Sequence, residues 1–248
     1  MARIFITGSA DGLGQLSART LIESGHDVVL HARNKNRGAD AIRKTPGAEA
    51  VLTGNLSSIE ETRMLADEVN KLGEFDAVIH NAGVYEASAK EIFSVNTLAP
   101  YILTCLIGRP KRLIYLSSGM HSHGHMKLDS LKSDTGRITY SDSKLHVVTL
   151  CLAVSRIWPT VYANAVNPGW VPTKMGGRGA PDNLQKGYET QVWLAVSKDV
   201  EAKVSGRYFF HRKERTHNPE ADDINLQEKL LNLCGEITGV RFPEQVGE

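Results

Sequence analysis

The stretch RIFITGSADGLG, residues 3–14, places a short apolar run directly before a loop with glycine at positions 8, 12 and 14. RIFIT (3–7) has the length and β-rich composition of a buried strand, and the glycines mark where it stops. Beyond them Leu13, Leu16, Ala18 and Leu21 recur at helical spacing, which predicts a helix over about Gly12 to Glu23. A strand running through a tight glycine loop into a helix is the opening of a βαβ unit.

The pattern repeats outward from this start. DVVLHA (27–32), AEAVLT (48–53), FDAVIH (75–80), RLIYLSS (112–118), VYANAVN (161–167) and GRYFFH (206–211) read as further strands. Helical patterns fill most gaps, among them a charged helix from Arg33 to Lys44 and a capped one begun by Ser57 or Ser58. Strands separated by helices imply right-handed crossovers and a mainly parallel sheet of seven strands, with helices on both faces. No linker or repeat divides the chain, so residues 1–248 are expected to form one doubly wound α/β domain of Rossmann type. Residues 174–187 are glycine-rich and would make a lid, and an amphipathic helix at about 222–240 would dock on the sheet edge.

The 248 residues are 41% hydrophobic and 23% charged, with a net charge of +1, a balance that favours neither nucleic acid nor an acidic surface as partner. No apolar run approaches the roughly 20 residues of a membrane span. The apolar run before the first glycine is too short for a signal peptide, and Cys105, Cys151 and Cys234 form no C-x-x-C pair. A cytoplasmic location is expected.

In a doubly wound sheet, ligands bind beyond the carboxyl ends of the strands, where the strand order reverses. Glycines there let a dinucleotide pyrophosphate approach the backbone, and the helix N-terminus supplies amide donors. The spacing here is G-x-x-x-G-x-G rather than G-x-G-x-x-G. Further along, YSDSK (140–144) puts Tyr140 and Lys144 four residues apart, on one helical face. T-G-x-x-x-G-x-G, then N-A-G (81–83), S-S (117–118), Y-x-x-x-K and P-G (168–169), in that order, resembles the short-chain dehydrogenase/reductase family over residues 3 to about 173. SSGMHSHG, YSDSK and NPGWVPTKMGG look most like bacterial members related to its retinol-dehydrogenase branch.

The resemblance implies an enzyme that interconverts a carbonyl (aldehyde or ketone) and an alcohol by hydride transfer. Tyr140 would be the general acid/base. A free tyrosine has a pKa of about 10, and lowering it by about three units requires roughly 4 kcal/mol, to be supplied by Lys144 and the oxidised nicotinamide. Lys144 would also hold the nicotinamide ribose. Ser118 would stabilise charge on the substrate oxygen, with Ser117 as the rival, because strand alternation lets only one hydroxyl serve. Asn96 would hold a proton-relay water. The implied cofactor set is Thr7, Gly8, Ser9, Asp11, Gly12, Leu13 and Gly14 in the loop, then Arg33, Asn34, Asn55, Leu56, Asn81, Ala82 and Gly83. Tyr140, Lys144, Pro168, Gly169, Val171 and Thr173 would complete it. Family habit implies a homodimer or homotetramer.

An acidic residue about 20 positions past the loop selects NAD through the ribose 2′-hydroxyl. Ala32 stands there, followed by Arg33, Lys35 and Arg37, so NADP(H) is favoured over NAD(H). Two departures cut against this family pattern: Asp11 stands where many NADP-preferring relatives carry a base, and Asn55 replaces an aspartate. His121, His123 and His125 lack the further ligands of a zinc site, so no metal is expected. Met120, Trp170, Met175, Tyr188 and Trp193 are candidates for an apolar substrate pocket. The alternative to an enzyme is a non-catalytic dinucleotide-sensing regulator on the same fold; a sugar-nucleotide epimerase would need more chain after the seventh strand.

Overall fold

The computed structural model describes residues 1–132 and 138–243. Strands β1 (Arg3–Ile6), β2 (Asp27–Ala32), β3 (Ala50–Thr53), β4 (Ala77–His80), β5 (Arg112–Leu116), β6 (Tyr162–Asn167), β7 (Arg207–Phe210) and β8 (Lys213–Glu214) form one sheet in the order β3-β2-β1-β4-β5-β6-β7-β8. All pairings are parallel except β7 with β8. The order reverses between β1 and β4, which opens the crevice where such sheets bind ligands.

Side-chain alternation explains why Ile4, Phe5 and Ile6 of β1 are all apolar. Ile4 and Ile6 enter one core with Ala18, Leu21 and Leu30, while Phe5 enters the other with Val29, Val78 and Tyr115. The first core lies under α1 (Gly12–Glu23) and α7 (Leu184–Val196), and α2 (Lys35–Lys44) packs beside it on β2 and β3. The second is covered by α3 (Ile59–Lys71), α5 (Ala99–Leu106) and α6 (Tyr140–Ile157). A short α4 (Ala89–Phe93) joins α5 through one π-helical turn, Ser94–Leu98, and Asn96 sits within that turn.

Several boundaries differ from the sequence expectation. The seven-stranded sheet gains β8 because His211 and Arg212 both adopt positive φ (51° and 60°), making a two-residue hairpin. Such turns are signalled by Asn-Gly or Asp-Gly, and His-Arg carries no such signal. The second helix starts at Lys35 rather than Arg33, because the Asn34 side chain caps it by accepting from Arg37 N–H (3.0 Å). Ser58, not Ser57, caps α3. The irregular segment after β6 ends at Asn183, which caps α7, so the end of the expected lid is the first turn of a helix. The last helix, α8 (Ile224–Thr238), packs on α6 and α5 rather than on the sheet edge, and Gly239 ends it in the left-handed conformation. Among the described residues no helix is long and apolar enough to cross a membrane.

Candidate active site

A cleft of about 320 Å³ opens beyond the ends of β1, β2, β4 and β5. It gathers Gly8, Asp11, Gly12 and Leu13, then Arg33, Asn55, Leu56, Asn81, Ala82, Gly83, Tyr140, Lys144, Pro168 and Thr173 from the expected set. The remaining expected residues do not line it. Thr7 Oγ1 accepts from Ala82 N–H (3.0 Å), and Asn81 Nδ2 donates to the carbonyls of Thr7 and Gly8 (3.0 and 3.2 Å), so the ends of β1 and β4 are tied together. Ser9 Oγ accepts from His31 N–H (2.8 Å) and donates to the Ile6 carbonyl. Asn34 is a helix cap, Val171 is buried, and the N–H of Gly169, which has positive φ, donates to Asn167 Oδ1 (2.9 Å).

The glycines meet the demands of a close-packed phosphate cradle. Gly8 has φ +64°, and a Cβ there would lie 2.9 Å from Ala82 Cα; one on Gly14 would lie 2.5 Å from Asn81 Nδ2. At Gly12 the nearest atom to an added Cβ is 3.9 Å away, so that side is open to the cleft above the first-turn amides of α1. These residues fit a dinucleotide.

Sequence reasoning missed His31. Its Nδ1 accepts from Gly8 N–H and its Nε2 donates to the Gly54 carbonyl, both at 2.9 Å. Burial pushes its pKa down to about 4, so the ring is a neutral brace between loop, β2 and β3. The parallel register Ile6–Leu30 carries the signal, because it sets His31 beside the start of the loop. Lys174, expected only as part of a lid, also lines the cleft. Asp11 accepts from it and, at 3.4 Å, from Arg37, while also accepting from Gly12 N–H at the start of α1. The carboxylate that broke the family pattern thus faces two cations, and its pKa is lowered, against the opposing effect of burial, by Lys174, Gly12 and Arg37.

At the other end of the cleft α6 begins at Tyr140, and a capping box sets its direction: Thr139 Oγ1 accepts from Asp142 N–H, and Asp142 accepts from Thr139 N–H. The Lys144 ammonium lies 5.5 Å from the Tyr140 ring centre and donates to the Leu116 carbonyl (2.8 Å). Burial lowers the Lys144 pKa to about 8. In the protein alone, Tyr140 is pushed up to about 12 by burial, against which the Ser118 hydroxyl works in the lowering direction. The protein alone therefore keeps the phenol protonated.

The two serines separate cleanly. Ser117 touches the cleft, but its buried hydroxyl donates to the Lys144 carbonyl (2.8 Å) and joins β5 to α6. Ser118 Oγ accepts from Met120 N–H (3.2 Å) and bonds on the Tyr140 side. Asn96 is fully engaged: Oδ1 accepts from Val84 N–H (2.8 Å), while Nδ2 donates to the Val84 carbonyl and to Ser143 Oγ. Its side chain braces the backbone after Gly83 instead of facing the cleft. Trp193, a candidate for the substrate pocket, lies in the core with its indole N–H on Asp199 (2.7 Å). The three histidines diverge: His121 is buried, His125 pairs with Glu220 and His123 is exposed.

A cleft at the switch point, with a glycine loop at one end and a tyrosine, a lysine and a serine at the other, fits the site of a dinucleotide-dependent enzyme. Residues 2–110 match the family model described as short chain dehydrogenase. An uncharacterized oxidoreductase of Emericella nidulans is 48% identical over 98% of this chain and 99% of its own. The short-chain dehydrogenase chyC of Penicillium rubens is 41% identical, covering 98% of this chain and all of its own. Among solved structures, a blue fluorescent protein from a metagenomic library in complex with NADPH matches with a TM-score of 0.70 at 18% identity, over 84% of this chain and 95% of that one. The chain belongs to the short-chain dehydrogenase family and is an oxidoreductase. The regulator alternative is not favoured.

Proposed function

We propose that residues 1–248 act as one dinucleotide-binding and catalytic domain that interconverts an apolar aldehyde or ketone with its alcohol, using NADP(H). The juxtaposition of Tyr140, Ser118 and Lys144 at the cleft end carries this reading. When bound, the nicotinamide supplies or accepts the hydride. Tyr140, held neutral by burial, donates its proton to the carbonyl oxygen in reduction and takes it back in oxidation. Ser118 donates a second hydrogen bond to that oxygen, and its acceptor side is already taken by Met120 N–H. Lys144, with a pKa near 8, is mostly charged at neutral pH and stabilises the phenolate. Asn96 contributes by fixing the Val84 backbone.

Arg33, Arg37 and Lys174 line the opposite end of the cleft, and a guanidinium can bond a 2′-phosphate in a forked geometry. This supports NADP(H) over NAD(H). Exposed apolar side chains gather around Tyr140: Tyr85 stacks edge-on at 4.8 Å, Met175 lines the cleft, Met120 bonds Ser118 through its N–H, and Trp170 anchors on the Gly176 carbonyl. Their exposures, 42%, 50%, 41% and 61%, make an apolar rim that favours a hydrophobic carbonyl compound. The test is NADPH consumption against aldehydes, ketones and quinones, with Tyr140→Phe as control. Turnover that the mutant lacks is expected; tight NADPH binding with no turnover of any carbonyl would sink the reaction assignment. A homodimer or homotetramer in the cytoplasm is part of the same proposal, and sedimentation velocity checks the assembly.

A further inference from the structure

Three donors converge on the carbonyl oxygen of Ser118: His121 Nδ1 at 2.7 Å, the Tyr208 hydroxyl at 3.2 Å and the main-chain N–H of His121 at 3.1 Å. A carbonyl oxygen has two lone pairs, so this one is held from more directions than satisfaction requires. The His121 ring is 3% exposed and packs at 4.5 Å on the Tyr208 ring. Its Nε2 accepts from Asn218 N–H (3.2 Å). A main-chain N–H only donates and a carbonyl only accepts, so the ring must be the neutral tautomer with its proton on Nδ1. Asn218 also donates its side-chain amide to the Gly124 carbonyl (3.0 Å), and Glu220 accepts from Met126 N–H (3.0 Å). The turn after Ser118 is thereby stitched to a segment almost a hundred residues later.

We infer that His121 is a positioning residue for Ser118. Its Nδ1–H, together with the Tyr208 hydroxyl, holds the Ser118 carbonyl so that the side chain stays beside Tyr140 with its proton available to the substrate oxygen. This rests on the role proposed for Ser118. The competing role, a structural anchor for Asn218, uses the other ring nitrogen, and that makes the two separable. Asparagine places an amide N–H₂ near the position of Nδ1 and keeps the donor to Ser118. Glutamine reaches the position of Nε2 and keeps an acceptor for Asn218, but loses that donor.

The experiment measures kcat and KM for a carbonyl compound turned over by the wild type, in His121→Asn, His121→Gln, Tyr208→Phe and Ser118→Ala, with NADPH affinity by fluorescence and melting temperature for each. The expected result is a kcat within about threefold of wild type for His121→Asn and a loss of roughly ten- to a hundredfold for His121→Gln, with KM and NADPH affinity little changed. Equal kcat in the two histidine variants, or a faster glutamine variant, overturns the positioning role. If neither histidine variant folds, Tyr208→Phe decides: a selective loss of kcat supports the role, and wild-type kcat overturns it. Ser118→Ala separates the two levels. Wild-type turnover there defeats the role of Ser118 itself, whereas loss there with full activity in His121→Gln defeats only the positioning by His121.

Discussion

Each end of the cleft has a buried neutral histidine, and the two are wired in opposite senses. His31 accepts from Gly8 N–H through Nδ1 and donates to Gly54 through Nε2, while His121 donates through Nδ1 to Ser118 and accepts through Nε2 from Asn218. The first brace joins the glycine loop after β1 to the end of β3, within the first three consecutive strands of the chain. The second joins the turn after Ser118 to a distant segment. The proposed cofactor end is thus fixed by sheet register, and the proposed substrate end by side chains reaching across the fold.

If the two ends are separable in this way, mutations should divide between cofactor affinity and turnover. The largest effect is expected from Tyr140→Phe: kcat/KM falls by at least about a thousandfold while NADPH affinity, measured by fluorescence titration, stays near wild type. A parallel collapse of binding would erase the distinction. His31→Leu should do the reverse, leaving Gly8 N–H and the Gly54 carbonyl without partners at about 1–3 kcal/mol each. Denaturant unfolding should show the lost stability, and NADPH affinity should fall with it. Arg33→Glu should weaken NADPH binding by about ten- to a hundredfold and NADH binding far less, read as the ratio of the two dissociation constants. A ratio left unchanged would remove Arg33 from cofactor choice.

A pH series sharpens the contrast more gently. His31, His80 and His146 have pKa values lowered by burial to about 4, 3 and 4, so the unfolded chain binds protons that the folded chain refuses. Their contribution is complete above the ordinary imidazole range near 6.5 and is lost progressively as pH falls from there toward 4. Unfolding midpoints at pH 7, 6 and 5 should decline in that order, whereas midpoints constant to pH 5 would contradict the neutral braces. The smallest effect is expected from Trp170→Ala, a rise of a few-fold in KM for an apolar carbonyl with no change in melting temperature.

The difference between the ends also explains what could be read from the amino-acid order. Ile4 to Ile6, the glycines and the helix from Gly12 announce themselves locally, through a packed strand, a tight turn and an apolar stripe. Asn34 carries a local signal that was passed over: expected in the cofactor set, it caps the second helix with its side chain. The hairpin at His211 and Arg212 was hidden because its positive φ values fall on residues that do not advertise them. The packing of α8 on α6, and the bond from Asn218 to His121, depend on which distant segments meet, and no local period encodes that. Strand alternation sets Ser117 and Ser118 apart, but the bond that ties the Ser117 hydroxyl to the Lys144 carbonyl links residues 27 apart and has no local signal.

Asp11 caps α1 and faces Arg37 and Lys174 across the mouth of the cleft. It behaves as a resident counter-ion, so the cationic end is already part-neutralised before any phosphate arrives. An incoming anion must therefore exchange partners with a carboxylate instead of meeting bare charge, and its net gain is the difference between two pairings. Removing that carboxylate, as in Asp11→Asn, would leave both cations to the newcomer and deepen the electrostatic well at the cost of a cleft less discriminating among polyanions.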